Sequence, residues 1–194
     1  TKAFSMTLTG ADEAAGLPAT ARQLAAEAAQ AAGHAEASPD AGPWVITLDA
    51  PSFIPFMQHA LRRDLREKLY RAYVTRASAG ELDNQPIIRR SLELAREKAN
   101  MLGYKTYAEM SLTRRMAPGV DAVGDLLCRL RDAARPAAQR DLDELRELAR
   151  HAGAAEADDM RNWDVAFWAE RLREKKFRLT DEQLRPYFPL PRVL

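Results

Sequence analysis

The chain has 194 residues, of which 46% are hydrophobic and 29% are charged, a composition typical of a folded globular protein rather than a disordered segment. Lysine and arginine total 29, and aspartate and glutamate total 28. This balance predicts neither a nucleic acid nor a membrane surface as a partner. The single cysteine, Cys128, excludes an internal disulfide, and its apolar neighbours predict a buried, inert thiol.

The first sixty residues predict a helix, a loop and one short strand. Pro18 suits the start of a helix and Gly33 its end, so we expect a helix between them and a surface loop after it. The segment Trp44 to Leu48 is short, β-branched and bounded by prolines, which predicts a strand. Because one strand is not stable alone, its hairpin partner should be Ser5 to Leu8 or a segment outside this sequence.

From Pro55 onward the pattern is helical, because apolar residues recur every three or four positions and stop signals separate the segments. The predicted helices are Leu61–Arg76, Pro86–Leu102, Thr106–Met116, Val120–His151 and Asn162–Lys175. The residues expected to face the core are Leu65, Leu69, Ile88 and Leu92.

Two local signals refine these helices. Thr106 and Glu109 have the spacing of a capping box, in which each residue satisfies a backbone donor of the other. Pro136 lies inside the longest predicted helix. Since proline lacks an amide donor and clashes with the preceding turn, we expect a kink or a break near Ala134.

No local set of residues assembles a catalytic or metal site. Zinc hydrolysis needs two imidazoles on one helix turn, a third ligand and a carboxylate that activates water. The three histidines, His34, His59 and His151, lie far apart in the sequence. We therefore predict no catalytic residue and no metal ligand in this chain. The acidic residues near the end of the longest helix alternate with arginines, which is typical of an ion-paired helix face.

Four longer segments carry a resemblance to a known family: residues 42–52 (GPWVITLDAPS), 65–73 (LREKLYRAY), 163–174 (WDVAFWAERLRE) and 184–188 (LRPYF). They resemble the thimet oligopeptidase and oligopeptidase A family of zinc metallopeptidases, and most of all its plant organellar members. The likeness extends over nearly the whole chain. The family's H-E-x-x-H signature does not occur in this sequence, so the chain resembles the upstream, non-catalytic portion of such an enzyme.

The periodicity and the resemblance together predict a mainly α fold with a small strand element near Trp44. The resemblance implies one helical lobe of a two-lobed enzyme that encloses a channel with zinc at its floor. Residues 1–60 would form the helix, loop and strand, and residues 61–194 a helical bundle in the channel wall. We expect this single domain to continue beyond Leu194 in the parent protein. Zinc would belong to the parent, and none is expected on this chain.

Five aromatic residues are the candidate site residues: Trp163, Phe167, Trp168, Tyr187 and Phe188. They could line a peptide channel or an interface, although such a cluster is more often the core where helices meet. The segment from Tyr187 to Leu194 and some of Trp163, Phe167 and Trp168 are also expected to form an exposed apolar face. Through that face the chain would bind the missing catalytic half or self-associate.

Two functions follow from the resemblance. In the first, the chain is a portion of a zinc oligopeptidase that degrades short peptides, including cleaved targeting peptides, and is inactive alone. In the second, it is a degenerate family member reused as a structural or protein-binding helical module. The plant organellar likeness implies mitochondria or chloroplasts, with the cytoplasm as the alternative. Continuation of the gene into an H-E-x-x-H helix would favour the first function.

Overall fold

The computed structural model describes residues 4–178 and 181–187 and divides the chain into two compact units. Unit 1 comprises residues 1–74 and 142–194, and unit 2 comprises residues 75–141. The predicted mainly α fold with a small strand element is confirmed. These units differ from the predicted parts, residues 1–60 and 61–194 of one domain. That predicted division stays a prediction.

Unit 1 begins with strand β1 (Ser5–Leu8), helix α1 (Ala19–Ala31), strand β2 (Trp44–Thr47) and helices α2 (Ala50–His59) and α3 (Arg63–Val74). Unit 2 contains a short 3-10 helix (Gly80–Leu82), α4 (Gln85–Met101), α5 (Tyr107–Leu112) and most of α6 (Val120–His151), whose last turns belong to unit 1. Helix α7 (Asn162–Phe177), α8 (Asp181–Leu184) and a second 3-10 helix (Arg185–Tyr187) follow. No helix among the described residues is long and apolar enough to cross a membrane.

The two strands form an antiparallel pair, which confirms Ser5 to Leu8 as the partner of the predicted strand. Met6 lies opposite Ile46, and Leu8 lies opposite Trp44. Alternate residues of β1 are buried, as expected when one face of a strand packs on a core. Helix α1 packs against β2, so the small sheet is covered by the alanine-rich face of this helix.

The buried side chains of unit 1 form its core. The largest cluster joins the sheet to α1, α2 and α3, and its fully buried members include Leu8, Phe56 and Leu69. A second cluster joins the last turns of α6 to α7. Leu65 and Leu69 face the core as predicted, with 8% and 0% of their surface exposed.

Unit 2 has almost no core of its own. Within residues 75–141, all of which the structure describes, Ala99 is the only buried residue. Ile88 and Leu92 are 57% and 67% exposed, so the prediction that they face a core is wrong. The physical reason is that the short α5 is the main neighbour of α4 and leaves these side chains uncovered.

Helix α6 runs unbroken through Pro136, so of the two predicted outcomes the break is wrong and the kink stays a prediction. Proline at this position removes the hydrogen bond to the carbonyl of Asp132, four residues earlier. Both residues are exposed, and water can therefore satisfy that carbonyl. The predicted capping box is confirmed, because the Glu109 amide donates to Thr106 Oγ1 at 3.1 Å and the Thr106 amide donates to the Glu109 carboxylate at 3.3 Å.

Helix α2 begins five residues before the predicted start of helical structure at Pro55. Pro51 lies in the first turn of α2, where a backbone N–H has no helical partner and proline is well tolerated. The amides of Ser52 and Phe53 both donate to the Asp49 carbonyl, at 2.9 and 2.8 Å. Pro51, which bounds the predicted strand in the sequence, thus lies inside the helix that follows.

Candidate functional site

The candidate aromatic residues occupy different environments. Phe167 and Trp168 are buried, with 8% and 6% of their surface exposed, and pack edge to face with ring centroids 5.3 Å apart. Tyr187 is 79% exposed, and Phe188 lies outside the described residues, as does the rest of the segment to Leu194. Phe167 and Trp168 therefore belong to the core and do not contribute to an exposed face of this chain.

Trp163 is the half-buried member of the set. Its ring centroid lies 6.0 Å from that of Tyr70, and the Arg71 guanidinium lies 5.0 Å from the Trp163 ring centroid. The indole N–H is buried and finds no hydrogen-bond partner among the described residues. An unpaired buried donor is unfavourable, so Trp163 remains a candidate interface residue.

A buried ion-pair cluster joins α3 to the start of α7. The Asp164 carboxylate is 0% exposed and accepts from Arg63 Nη2 at 2.8 Å and from Arg66 Nη2 at 3.1 Å. It also accepts from the Arg161 backbone amide at 3.0 Å. Asp164 thus accepts one backbone donor at the start of α7 and pairs with two guanidinium groups at once.

Arg66 is itself 1% exposed and uses its remaining donors on backbone carbonyls. Its Nη1 donates to the Ala60 carbonyl at 2.7 Å, and its Nε donates to the Trp163 carbonyl at 3.3 Å. Its guanidinium carbon lies 4.3 Å from the Phe167 ring centroid. One side chain therefore holds the end of α2 and the first turn of α7 in place.

The surroundings shift the pKa values of this cluster. Burial disfavours the charged carboxylate of Asp164, but hydrogen bonds from Arg63, the Arg161 amide and Arg66 outweigh it and hold the pKa of Asp164 below its usual value. Burial lowers the pKa of Arg66, and pairing with Asp164 opposes that effect. Both groups stay charged at neutral pH, so the cluster is a structural ion pair rather than an acid–base catalyst.

The apolar stripes of unit 2 are two rows of exposed aliphatic residues. One lies on α4 and the other on the part of α6 within unit 2. Their members recur at spacings of three, four or seven, and each is at least 41% exposed. They are Ile88 and Leu92 on α4, and Val120, Leu127 and Leu130 on α6. Cys128 follows Leu127 in the sequence and is exposed among the polar residues of α6, so the predicted burial of its thiol is wrong for the same reason: no described element covers this part of α6.

Comparison with known proteins identifies the family. Residues 56–194, most of the chain, match the profile of peptidase family M3. The chain belongs to peptidase family M3. The family resemblance predicted from the sequence is thereby confirmed.

Plant and bacterial members of family M3 are similar to the whole chain. The chain is 50% identical over 194 residues to a "Probable cytosolic oligopeptidase A" of Arabidopsis thaliana, covering 100% of this chain and 28% of that protein. It is also 50% identical to an "Organellar oligopeptidase A, chloroplastic/mitochondrial" of the same plant, covering 100% and 24%. Identity to the "Oligopeptidase A" of Salmonella typhimurium is 39%, covering 97% and 27%. The chain thus spans about a quarter of the length of these relatives.

Family M3 is generally zinc-dependent, but the described residues do not fit a zinc ion. His59 Nδ1 lies 3.0 Å from Arg171 Nη2, and His151 Nδ1 lies 2.9 Å from the Glu147 carbonyl, so each of these rings has a protein contact. Across the part of the chain that the structure describes, no three His, Cys, Asp or Glu residues come close enough together to hold a metal.

The sequence did not predict the Asp164 cluster or the stripes of unit 2 as surface features. The arginines that bind Asp164 precede it by 101 and 98 positions, and sequence spacing gives no signal for such a contact. The apolar periodicity of α4 was visible, but periodicity alone does not show whether a partner in the same chain covers the stripe.

Proposed function

We propose that the chain is a helical, non-catalytic portion of a zinc-dependent oligopeptidase that hydrolyses short peptides. The observation that carries this proposal is the 50% identity to two plant oligopeptidase A proteins over the full 194 residues. Identity at this level across both units supports a shared role in a peptidase. Short peptides, including cleaved targeting peptides, are the proposed substrates of the parent enzyme.

Within that enzyme the chain would supply structure. The described residues offer no zinc ligand set, so zinc and the groups that activate water would come from outside this chain. Unit 1, with its buried core and the Asp164 cluster, would be a stable part of the helical wall. Trp163 and Tyr187, which are not fully buried, are the described candidates for contact with peptides or with the rest of the enzyme.

We further propose that the parent acts in mitochondria or chloroplasts, with the cytosol as the alternative compartment. Two relatives of equal identity support these two settings, because one is described as chloroplastic/mitochondrial and the other as cytosolic. Imaging of the full gene product, fused to a fluorescent protein at its C-terminus, would separate the two.

The experiment compares two proteins. The first is the 194-residue chain alone. The second, called the chimera below, is the Arabidopsis cytosolic oligopeptidase A with its 194 aligned residues replaced by this chain. Each is incubated with a quenched fluorescent peptide of about ten residues, with and without a zinc chelator, because zinc-bound water is the expected nucleophile. We expect chelator-sensitive cleavage by the chimera and none by the chain.

Chelator-sensitive cleavage by the chain alone would show that it holds a catalytic site and would overturn the non-catalytic role. A chimera that is folded, as judged by circular dichroism and gel filtration, but cleaves nothing would favour the second candidate. In that case the chain is a degenerate family member reused as a structural or protein-binding module.

A further inference from the structure

The stripe on α4 occupies one side of the helix, and ion-paired residues lie on the opposite side together with the exposed Leu94 and Met101. Ile88 and Leu92 share one side of the helix with the small residues Ala95 and Ala99, of which Ala99 is buried. The opposite side carries ion-paired residues, among them Arg90, which contacts Glu93 at 3.2 Å. This division is the pattern of a helix that buries one side against a partner and exposes the other to water.

The stripe on α6 has the same character. Val120, Leu127 and Leu130 are 41%, 60% and 57% exposed, and helical periodicity places them on one side of the helix. Charged residues, including Asp125 and Arg129, occupy the other side. Two helices of unit 2 therefore each carry an uncovered apolar stripe.

Such stripes are unfavourable when they stay in water. A helix of 17 residues, the length of α4, is marginally stable alone, and most helical stability in proteins comes from packing of the apolar side. In unit 2 only Ala99 is buried among the described residues, so packing within the unit contributes little. Soluble monomers rarely expose extended apolar surface unless it binds a partner. Something outside the described residues must cover these stripes in the working protein.

We propose that the apolar stripes of unit 2 are the surface against which the remaining part of an M3 peptidase packs. This inference rests on the proposed function and names the partner surface within it. The partner chemistry is a set of aliphatic or aromatic side chains, since the stripes themselves carry no charge. This proposal concerns unit 2, and the apolar face expected at the segment from Tyr187 to Leu194 stays a prediction.

The relative lengths favour this occupant over a second copy of the chain. The two Arabidopsis relatives match all 194 residues, unit 2 included, yet the matched part is 28% and 24% of their lengths. About three quarters of each relative therefore lies outside the matched region and is available within the same polypeptide. Packing within one polypeptide has a high effective concentration, whereas a second copy would have to associate from solution.

The test measures the accessibility of single cysteines. Leu92→Cys places a thiol on the stripe, and Glu93→Cys, the matched control, places one at the next position on the charged side. Both positions are exposed in this chain, and Cys128→Ser removes the native exposed thiol. Each variant is made in the chain alone and in the chimera. Alkylation by a maleimide is followed over time by mass spectrometry of the peptide that contains the new cysteine.

In the chain alone we expect the two thiols to react at similar rates. In the chimera we expect Leu92→Cys to react at least about tenfold more slowly than Glu93→Cys, because a buried thiol reacts only when the structure opens locally. Equal rates in a folded chimera would overturn the proposal. So would protection of Leu92→Cys in the chain alone that grows with protein concentration, because a second copy would then be the occupant.

Two controls keep the result interpretable. If the chimera does not fold, the same pair of cysteines is placed at the aligned positions of the Arabidopsis cytosolic oligopeptidase A itself, and the same two outcomes apply. The labelling needs no peptidase activity, so the two proposals can fail separately. A chimera that protects Leu92→Cys but cleaves no peptide would contradict the proposed function and support the proposed packing surface. If the chimera cleaves the peptide and Leu92→Cys reacts as fast as Glu93→Cys, the proposed packing surface is contradicted and the proposed function is supported.

Discussion

Asp164 and Arg66 show how a fully buried charge is accommodated in this molecule. Arg66 has carbonyl, carboxylate and aromatic partners, and Asp164 accepts from two arginines and a backbone amide. Removing charges from water is costly, so such a pair adds little net stability over a well-packed apolar pair. Once the site is built, however, loss of one partner leaves the other buried and unneutralised.

The first prediction concerns Asp164→Asn. The amide keeps the size of the side chain but not its charge, so the buried Arg66 keeps only the more distant Glu156 carboxylate, at 3.9 Å, as a counterion. We expect the free energy of unfolding to fall by about 3–5 kcal/mol, as measured by urea denaturation of the chain. The control is Asp158→Asn at an exposed ion pair, where Arg150 lies at 2.9 Å and Asp158 is 84% exposed. Its expected cost is below about 1 kcal/mol, and equal losses in the two variants would contradict the prediction.

The second prediction follows from the lowered pKa of Asp164. A carboxylate whose pKa is lower in the folded state stabilises that state fully at pH values above its unfolded pKa, about 3.9. The contribution is lost as the pH falls through the lower, folded pKa. We expect the urea midpoint to fall between about pH 5 and about pH 2, and to fall less in Asp164→Asn. Glu13 and Asp64 also have lowered pKa values, so the difference between the two proteins isolates Asp164. Identical pH profiles would refute this assignment.

At the scale of single elements, the sequence predicts structure well where the cause is local. The capping box at Thr106 needs only residues within one turn. The sequence leaves two alternatives for the partner of the second strand, and the structure selects Ser5 to Leu8. The environments of Ile88 and Cys128 were predicted wrongly, because the periodicity of a helix shows which side is apolar and not what covers that side.

The loop before α1 illustrates a contact that sequence patterns do not reveal. The Leu61 amide donates to the Ala15 carbonyl at 3.0 Å, which brings this loop against the turn between α2 and α3. Gly16, the next residue, has a φ of +88°, and a Cβ there would overlap the carbonyl oxygen of His59. Glycine at this position therefore serves both the positive φ and the close backbone approach.

The third prediction compares Gly16→Ala with Gly33→Ala. Both residues have positive φ, but a Cβ at Gly33 would meet nothing within 4 Å. We expect Gly33→Ala to cost about 1–2 kcal/mol from backbone strain alone. Gly16→Ala should cost at least about 3 kcal/mol, because steric overlap adds to the same strain. Thermal and urea denaturation of both variants measure the difference, and a Gly16→Ala variant as stable as Gly33→Ala would show that the loop can move away.

At the scale of the whole molecule, burial is concentrated in unit 1. The clusters of buried residues lie within residues 6–69 and 145–168, whereas unit 2 buries only Ala99 among its described residues. Stability in a protein is not uniform, and segments with few buried apolar contacts open at low free energy. The chain alone is therefore expected to have one stable unit and one that opens readily.

The last prediction tests this difference by hydrogen exchange of the isolated chain. Helices α3 and α4 are both amphipathic, but the stripe of α3 is buried through Leu65 and Leu69, while that of α4 is exposed. We expect backbone amides in the middle of α4 to exchange at least about a hundredfold faster than those in the middle of α3, because helical hydrogen bonds without tertiary packing open at little cost. In the chimera the exchange of α4 should slow toward that of α3, since its stripe would then be covered. Equal protection of the two helices in the isolated chain would mean that α4 is stable without a partner, and unit 2 would then need no covering surface to fold.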